Sequence, residues 1–135
     1  MSRTLEQKRA FFALQFIKQV NPEDAVKIST LIKNAPIQVL QNGLGQMLAY
    51  LLADNEGKTD KERKPSGTLY LEFQKWLCGP KEQNHPCRVY LEKTQLIEQL
   101  VSGDRAQYMR AQQETLALSN WLKKFADAWL EKETP

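Results

Sequence analysis

A single histidine, His85, and only two cysteines, Cys78 and Cys87, are available for nucleophilic or metal chemistry in 135 residues. Catalysis by a nucleophile, a base and an orienting group needs several such side chains brought together, and the few aspartates, Asp54 and Asp60 excepted, lie far apart along this chain. The P-loop, the Gly-x-Ser-x-Gly elbow and the dinucleotide fingerprint are all missing. These gaps argue against an enzyme, a cofactor and a small-molecule substrate. Cys78, His85 and Cys87 supply three soft ligands around a Pro-rich loop, one short of the usual four for zinc and without Cys-x-x-Cys spacing. They read as two free thiols and no metal site. A disulfide would need an oxidising compartment, of which the sequence gives no sign.

Long apolar runs are missing as well. The most apolar uncharged stretch, Ala35 to Ala53, is interrupted by Gln38, Gln41, Asn42 and Gln46, and the first twenty residues hold no apolar block with a cleavage site. The expectation is a soluble, cytoplasmic chain that does not touch a membrane. Charge of one sign is scarce: 19 Lys and Arg against 16 Asp and Glu leave +3, so the distribution of the charges has to decide whether a polyanion is a partner. What is present in quantity is core material. With 41% hydrophobic and 26% charged residues, the chain has the balance of a folded protein, and its length suits one domain over residues 1–135.

Periodicity then points to helices throughout. From Thr4 to Val20, Leu5, Ala10, Ala13, Leu14, Phe16, Ile17 and Val20 share one arc at 100° per residue, with Arg9 intruding on that arc and Phe11 on the polar one. Asn21-Pro22-Glu23-Asp24 is a helix start, with Asn21 as cap and Pro22 in the first turn. The helix it opens runs to Asn34 and buries Ala25, Ile28, Leu31 and Ile32. Ala35-Pro36 closes that helix, because a residue before proline avoids the helical region. A third helix then runs from Pro36 to Ala53 with Ile37, Leu40, Leu44, Met47, Leu48 and Leu51 inward. It carries the 3.6 period through Asn42-Gly43, the alternative being a break there between two shorter helices. Its opposite face is small or polar, and Asn42 and Gly45 on it are candidates for close approach by a partner.

Residues 54–67 are polar with nearly cancelling charges and read as a mobile loop. A fourth helix follows, carrying Leu69, Phe73, Trp76 and Leu77 until Gly79-Pro80 stops it. After a loop over 79–87, a fifth spans Arg88 to Val101, with Tyr90 or Leu91, Leu96, Ile97 and Leu100 inward. Asp104 caps the last helix, which reaches Glu131 on a stripe of Ala111, Leu118, Leu122, Phe125 and Trp129. The fold class is therefore all-α, a compact bundle of about six helices with long loops after helices three and four.

Three segments in order carry a resemblance: Arg9-Ala10 in the first helix, PIQVLQNGLGQMLAY over residues 36–50, and YMRAQQETLALSNWLKKFA over residues 108–126. In them the sequence resembles the small helical subunit of the type III-B CRISPR effector, the RNA-guided Cmr complex. The resemblance implies a non-catalytic subunit for antiviral defence. Several copies would stack along the backbone subunits, near the large subunit, lining the channel of the target RNA paired to its guide. The alternative reading is a helical protein–protein adaptor that does not bind RNA.

For RNA held by pairing to a guide, the protein need only hold phosphates with Lys and Arg. Residues 1–34 carry six basic groups against three acidic ones, a local +3, and Lys123 and Lys124 add a pair on the last helix. The candidate RNA contacts are Lys8, Lys18, Lys123 and Lys124, followed by Arg105 and Arg110. Phe11, isolated on a polar arc, is a candidate partner contact. Arg9 and Glu114 both project from apolar stripes, so a pairing between them across the first and last helices is expected. Trp121, Phe125 and Trp129 follow the apolar spacing and are expected in the core rather than as base-stacking platforms.

Overall fold

Two reciprocal caps set the first and last helices. The Thr4 hydroxyl accepts the Gln7 N–H at 3.1 Å while Gln7 Oε1 accepts the Thr4 N–H at 2.8 Å, which starts α1 (Leu5–Gln19). Asp104 and Gln107 repeat the arrangement at 2.8 and 3.4 Å and start α6 (Arg105–Trp129). The computed structural model describes residues 3–59, 62–79, 89–91 and 95–130. Between these two helices lie α2 (Ala25–Asn42), α3 (Leu44–Asn55), α4 (Pro65–Leu77) and α5 (Leu96–Ser102), with no strand among the described residues. The molecule is an all-α bundle.

Its boundaries correct the sequence reading in one instructive place. Pro36 does not end a helix: α2 runs through it to Asn42, and the break falls at Gly43, whose φ of 89° suits glycine alone. An interior proline costs a helix about 3 kcal/mol, but Ala35 and Val39 on either side of it are buried, and their packing holds the backbone helical. The break resets the apolar phase. Burial follows Ala25, Ile28, Ile32, Ala35 and Val39 on α2, then Leu44, Met47, Leu48 and Leu51 on α3. Ile37 and Leu40, expected inward on an unbroken helix, therefore face solvent, 47% and 74% exposed.

Neither α3 nor α5 has a capping side chain of its own, and both borrow caps from other helices. At the start of α3, the Leu44 N–H donates to Gln112 Oε1 and the Gly45 N–H to the Tyr108 hydroxyl, both at 3.0 Å. At the start of α5, the Leu96 N–H donates to Gln74 Oε1 at 2.8 Å and the Ile97 N–H to the Tyr70 hydroxyl at 3.0 Å. The α5 helix is shorter than the expected span from Arg88, because the Val89 and Tyr90 N–H groups both donate to the Leu77 carbonyl instead of entering a helix. Arg88 lies outside the described residues. Tyr90 is buried, as expected, while Leu91 is exposed.

Two further expectations are corrected. Asn21 makes no side-chain cap; its carbonyl accepts the Asp24 N–H at 2.9 Å, closing a 3₁₀ turn over Pro22–Asp24 ahead of α2. The polar loop is also shorter than residues 54–67, since α3 runs to Asn55 and α4 begins at Pro65. Asn55 is buried and fastens both sides, accepting the Lys64 N–H at 2.9 Å and donating to the Lys58 carbonyl at 3.4 Å. Gly67 packs so closely on Asn55 that any β-carbon there would collide with it.

The long α6 packs chiefly on α1 and α2. Arg9 meets Glu114 near the start of α1, and Ile17 and Val20 near its end share a recess with Trp129 and Leu130, so α1 and α6 run in the same direction. Ala25 joins that recess while Leu44 bonds to Gln112, so α2 runs antiparallel to both. Burial on α6 follows Ala111, Thr115, Leu118, Ser119, Leu122 and Ala126, a line of mostly small side chains that lets its neighbours approach closely. The expected stripe is thus corrected. Trp121 and Phe125 sit half-buried on its shoulder, and Trp129, placed past the end of α1, is 63% exposed.

Candidate nucleic-acid interface

Arg9 organises the face shared by α1 and α6. Its Nε and a terminal nitrogen donate to the two oxygens of Glu114 at 2.6 and 2.7 Å, and its other terminal nitrogen donates to Glu6 Oε1 at 2.5 Å. The expected pairing of Arg9 with Glu114 is present in the two-pronged form that a planar guanidinium favours. Glu114 also accepts the Trp76 indole N–H at 2.8 Å, and Glu6 accepts that of Trp121 at 3.1 Å. One guanidinium and two carboxylates thereby connect α1, α4 and α6, with Arg9 and Glu114 nearly covered.

This network has an electrostatic consequence. Glu6 is the only acid in α1, and Glu114 is the only acid of α6 between Arg105 and Ala126. Both are drawn onto Arg9. The basic residues of the two helices are left facing outward: Lys18, Arg105, Arg110, Lys123 and Lys124 are exposed and Lys8 is half-buried. None of the six forms an ion pair with a described carboxylate.

The structure divides these six rather than gathering them into one cluster. At 100° and 1.5 Å per residue, Arg105 and Lys123 lie in one row about 27 Å apart, while Arg110 and Lys124 form a second row about 21 Å long on the opposite flank. The second row borders α1. Lys124 lies over the ring of Trp121, which bonds to Glu6 of α1, and Arg110 lies one turn before Glu114, which bonds to Arg9. Lys18 stands at the far end of the same seam, beside Trp129. Along the seam, Trp121, Phe125 and Trp129 form a ladder with ring centroids 5.7 and 5.5 Å apart.

The partner candidates are also separated. Phe11 is exposed on the outer side of α1, with the Arg3 guanidinium 4.5 Å from its ring centre. Asn42 is exposed at the end of α2, and the space beside Gly45 is filled from within the chain by Tyr108 and Leu100. Of the soft ligands, Cys78 is buried, while His85 and Cys87 lie outside the described residues. No group of three or more His, Cys, Asp or Glu side chains able to hold a metal occurs among the described residues. Among them, too, no helix is long and apolar enough to cross a membrane.

Apart from this face, one cleft holds a perturbed acid. Glu72 stands on α4 beside Asp24, Arg63 and Lys75, in a cavity of about 200 Å³. Burial pushes its carboxyl above the ordinary range, with Lys75 at 3.7 Å opposing the shift only partly. Mixed charge of this kind suits neither a phosphate nor a metal.

The features that sequence reasoning missed are the exposed Ile37 and Leu40, the exposed Trp129, and the capping of α3 by Tyr108 and Gln112. Gly43 was the available signal for the first and third. A glycine followed by a renewed apolar phase marks a break when the residues after it need caps.

A family model described as CRISPR-associated protein (Cas_Cmr5) matches residues 5–129. Among solved structures, the chain is similar to the X-ray crystal structure of a CRISPR-associated Cmr5 family protein from Thermus thermophilus. The two share 23% identity with a TM-score of 0.68, over 96% of this chain and 100% of that one. At that identity the likeness concerns the fold.

Proposed function

The chain belongs to the CRISPR-associated Cmr5 family, the small subunit of the type III-B effector, and from that premise we propose that it works in the cytoplasm without catalysis, holding target RNA by its phosphates. Copies of it stack beside the backbone subunits, and the strand paired to the guide passes along the seam of α1 and α6. One observation carries this reading: Glu114 is covered against Arg9 and Glu6, though exposed, is bound to the same guanidinium, so the cations Lys8, Lys18, Arg110 and Lys124 outnumber the single uncompensated carboxylate of the seam. Arg110, Lys124 and Lys18 border the seam most directly, Lys8 lies on α1, and Arg105 and Lys123 serve the other flank. Such contacts are indifferent to base identity, which suits a strand whose sequence is read by pairing.

The test is RNA titration at several salt concentrations, on the chain alone and on the effector reconstituted with it. Three to four phosphate contacts to a single strand give a slope of log affinity against log salt of about −2 to −3. Arg110→Glu with Lys124→Glu should reduce affinity at least about tenfold and flatten the slope by more than 1. Binding that ignores salt, or that survives both charge reversals, refutes the reading. The adaptor alternative draws support from the exposed Ile37 and Leu40, which offer nothing to a phosphate. It predicts full assembly and no change in RNA affinity for the same variant.

A further inference from the structure

The outer face of α2 is a second surface with its own character. Lys33, Ile37 and Leu40 stand at i, i+4 and i+7, one stripe on a helix that presents Ala35 and Val39 to the core from its other side. Leu40 is 74% exposed, as far out as any large aliphatic residue among those described. Lys27 and Lys33 are also exposed, and α2 contains no acid from end to end. Two aliphatic anchors with Lys33 one turn ahead of them, and Glu23 and Lys27 only at the far end of the helix, are a pattern of helix-in-groove recognition.

We propose that this face docks a neighbouring protein subunit whose contacting surface has an apolar groove rimmed by Asp and Glu. The charge decides the chemistry of the partner. The stretch from Lys33 to Leu40 holds a lysine and no carboxylate, and it gains from an acidic rim and is repelled by a basic one. A second copy presenting the same face is disfavoured, because a symmetric contact would set Lys27 and Lys33 against their own counterparts. Nucleic acid would satisfy the lysines but leave Ile37 and Leu40 in water, since an aliphatic side chain offers a base neither a ring nor a hydrogen bond. The docking rests on the chain's place in a multisubunit assembly and not on RNA binding along α1 and α6, so the two are tested separately.

The probe is the type III-B effector reconstituted from the remaining subunits of the same host, to which this chain is added. Zero-length carbodiimide coupling joins a lysine to a carboxylate in contact with it, and mass spectrometry then identifies the junction. Lys27 or Lys33 should couple to an Asp or Glu of a different subunit. Leu40→Asp, and independently Lys33→Glu, should lower incorporation about tenfold or more with helical content and melting temperature unchanged, because both positions are solvent-exposed. Salt-dependent RNA binding by the isolated Leu40→Asp chain should match wild type. Three results overturn the proposal: normal incorporation of both variants, coupling only between copies of this chain, or loss of RNA binding together with assembly in Leu40→Asp.

Discussion

Arg9 and Glu114 stand 105 positions apart in the chain and hold each other through two hydrogen bonds of 2.6 and 2.7 Å. Each was marked in the sequence by the same anomaly, a charge on an apolar helical stripe. The pair locks α1 to α6, and the Trp76 indole on Glu114 adds α4 to the lock.

Breaking one half of this pair should destabilise the protein markedly, because the remaining charge is left nearly covered. Arg9→Ala or Glu114→Ala should cost about 2–4 kcal/mol in urea unfolding. Arg9→Lys should recover little, since an ammonium cannot span both carboxylate oxygens. Replacing both partners with apolar residues, as in Arg9→Met with Glu114→Leu, should cost clearly less than the sum of the single changes. Additive losses would show that the two residues act independently.

Gly43 and Gly45 should respond in opposite ways to the same substitution. Gly43 has φ of 89° and a β-carbon there would lie 3.1 Å from the Tyr108 hydroxyl, so Gly43→Ala should cost about 1–3 kcal/mol. Gly45 is helical with ordinary space around it, and a methyl added there would lie 3.5 Å from its nearest neighbour, so Gly45→Ala should be neutral or stabilise by up to about 1 kcal/mol. Tyr108→Phe removes the acceptor of the Gly45 N–H and should cost about 1 kcal/mol. Thermal melts of the three variants check these values, and a Gly43→Ala protein as stable as wild type would contradict the break at that residue.

Glu72 should make the protein less stable as pH rises out of the acid range. Burial lifts its carboxyl pKa above the ordinary value of 4.5, so between 4.5 and the raised value the folded state holds a proton that the unfolded state has lost. Stability falls through that window and levels off above it. Glu72→Gln removes the ionisation, so its stability relative to wild type should increase from acid to neutral pH. The measurement is unfolding free energy of both proteins across about pH 4 to 7. A difference that stays constant would mean that Lys75, at 3.7 Å, cancels the burial.

Helical content, the six helices among the described residues, the start of α1 near Thr4, the Asp104 cap and the Arg9–Glu114 pairing were all legible in the sequence. Each depends on local spacing or on a charge out of place, and a 3.6-residue period reports both. The same period misplaced Ile37, Leu40 and Trp129, because it records which residues share a face and not which face finds a neighbour. Where α2 ended depended on Ala35 and Val39 packing well enough to carry the helix past Pro36, and on Tyr108 and Gln112 reaching over from α6 to cap the next one. The candidate interface divides in the same way. Its lysines and arginines could be named from the sequence, but only the packed structure covered Glu114 against Arg9, paired Glu6 with the same guanidinium and split the basic residues between two flanks of α6. Spacing along one chain is a local quantity and determines local structure. Burial, caps lent by distant helices and the net sign of a surface depend on which segments meet, and tertiary packing decided them.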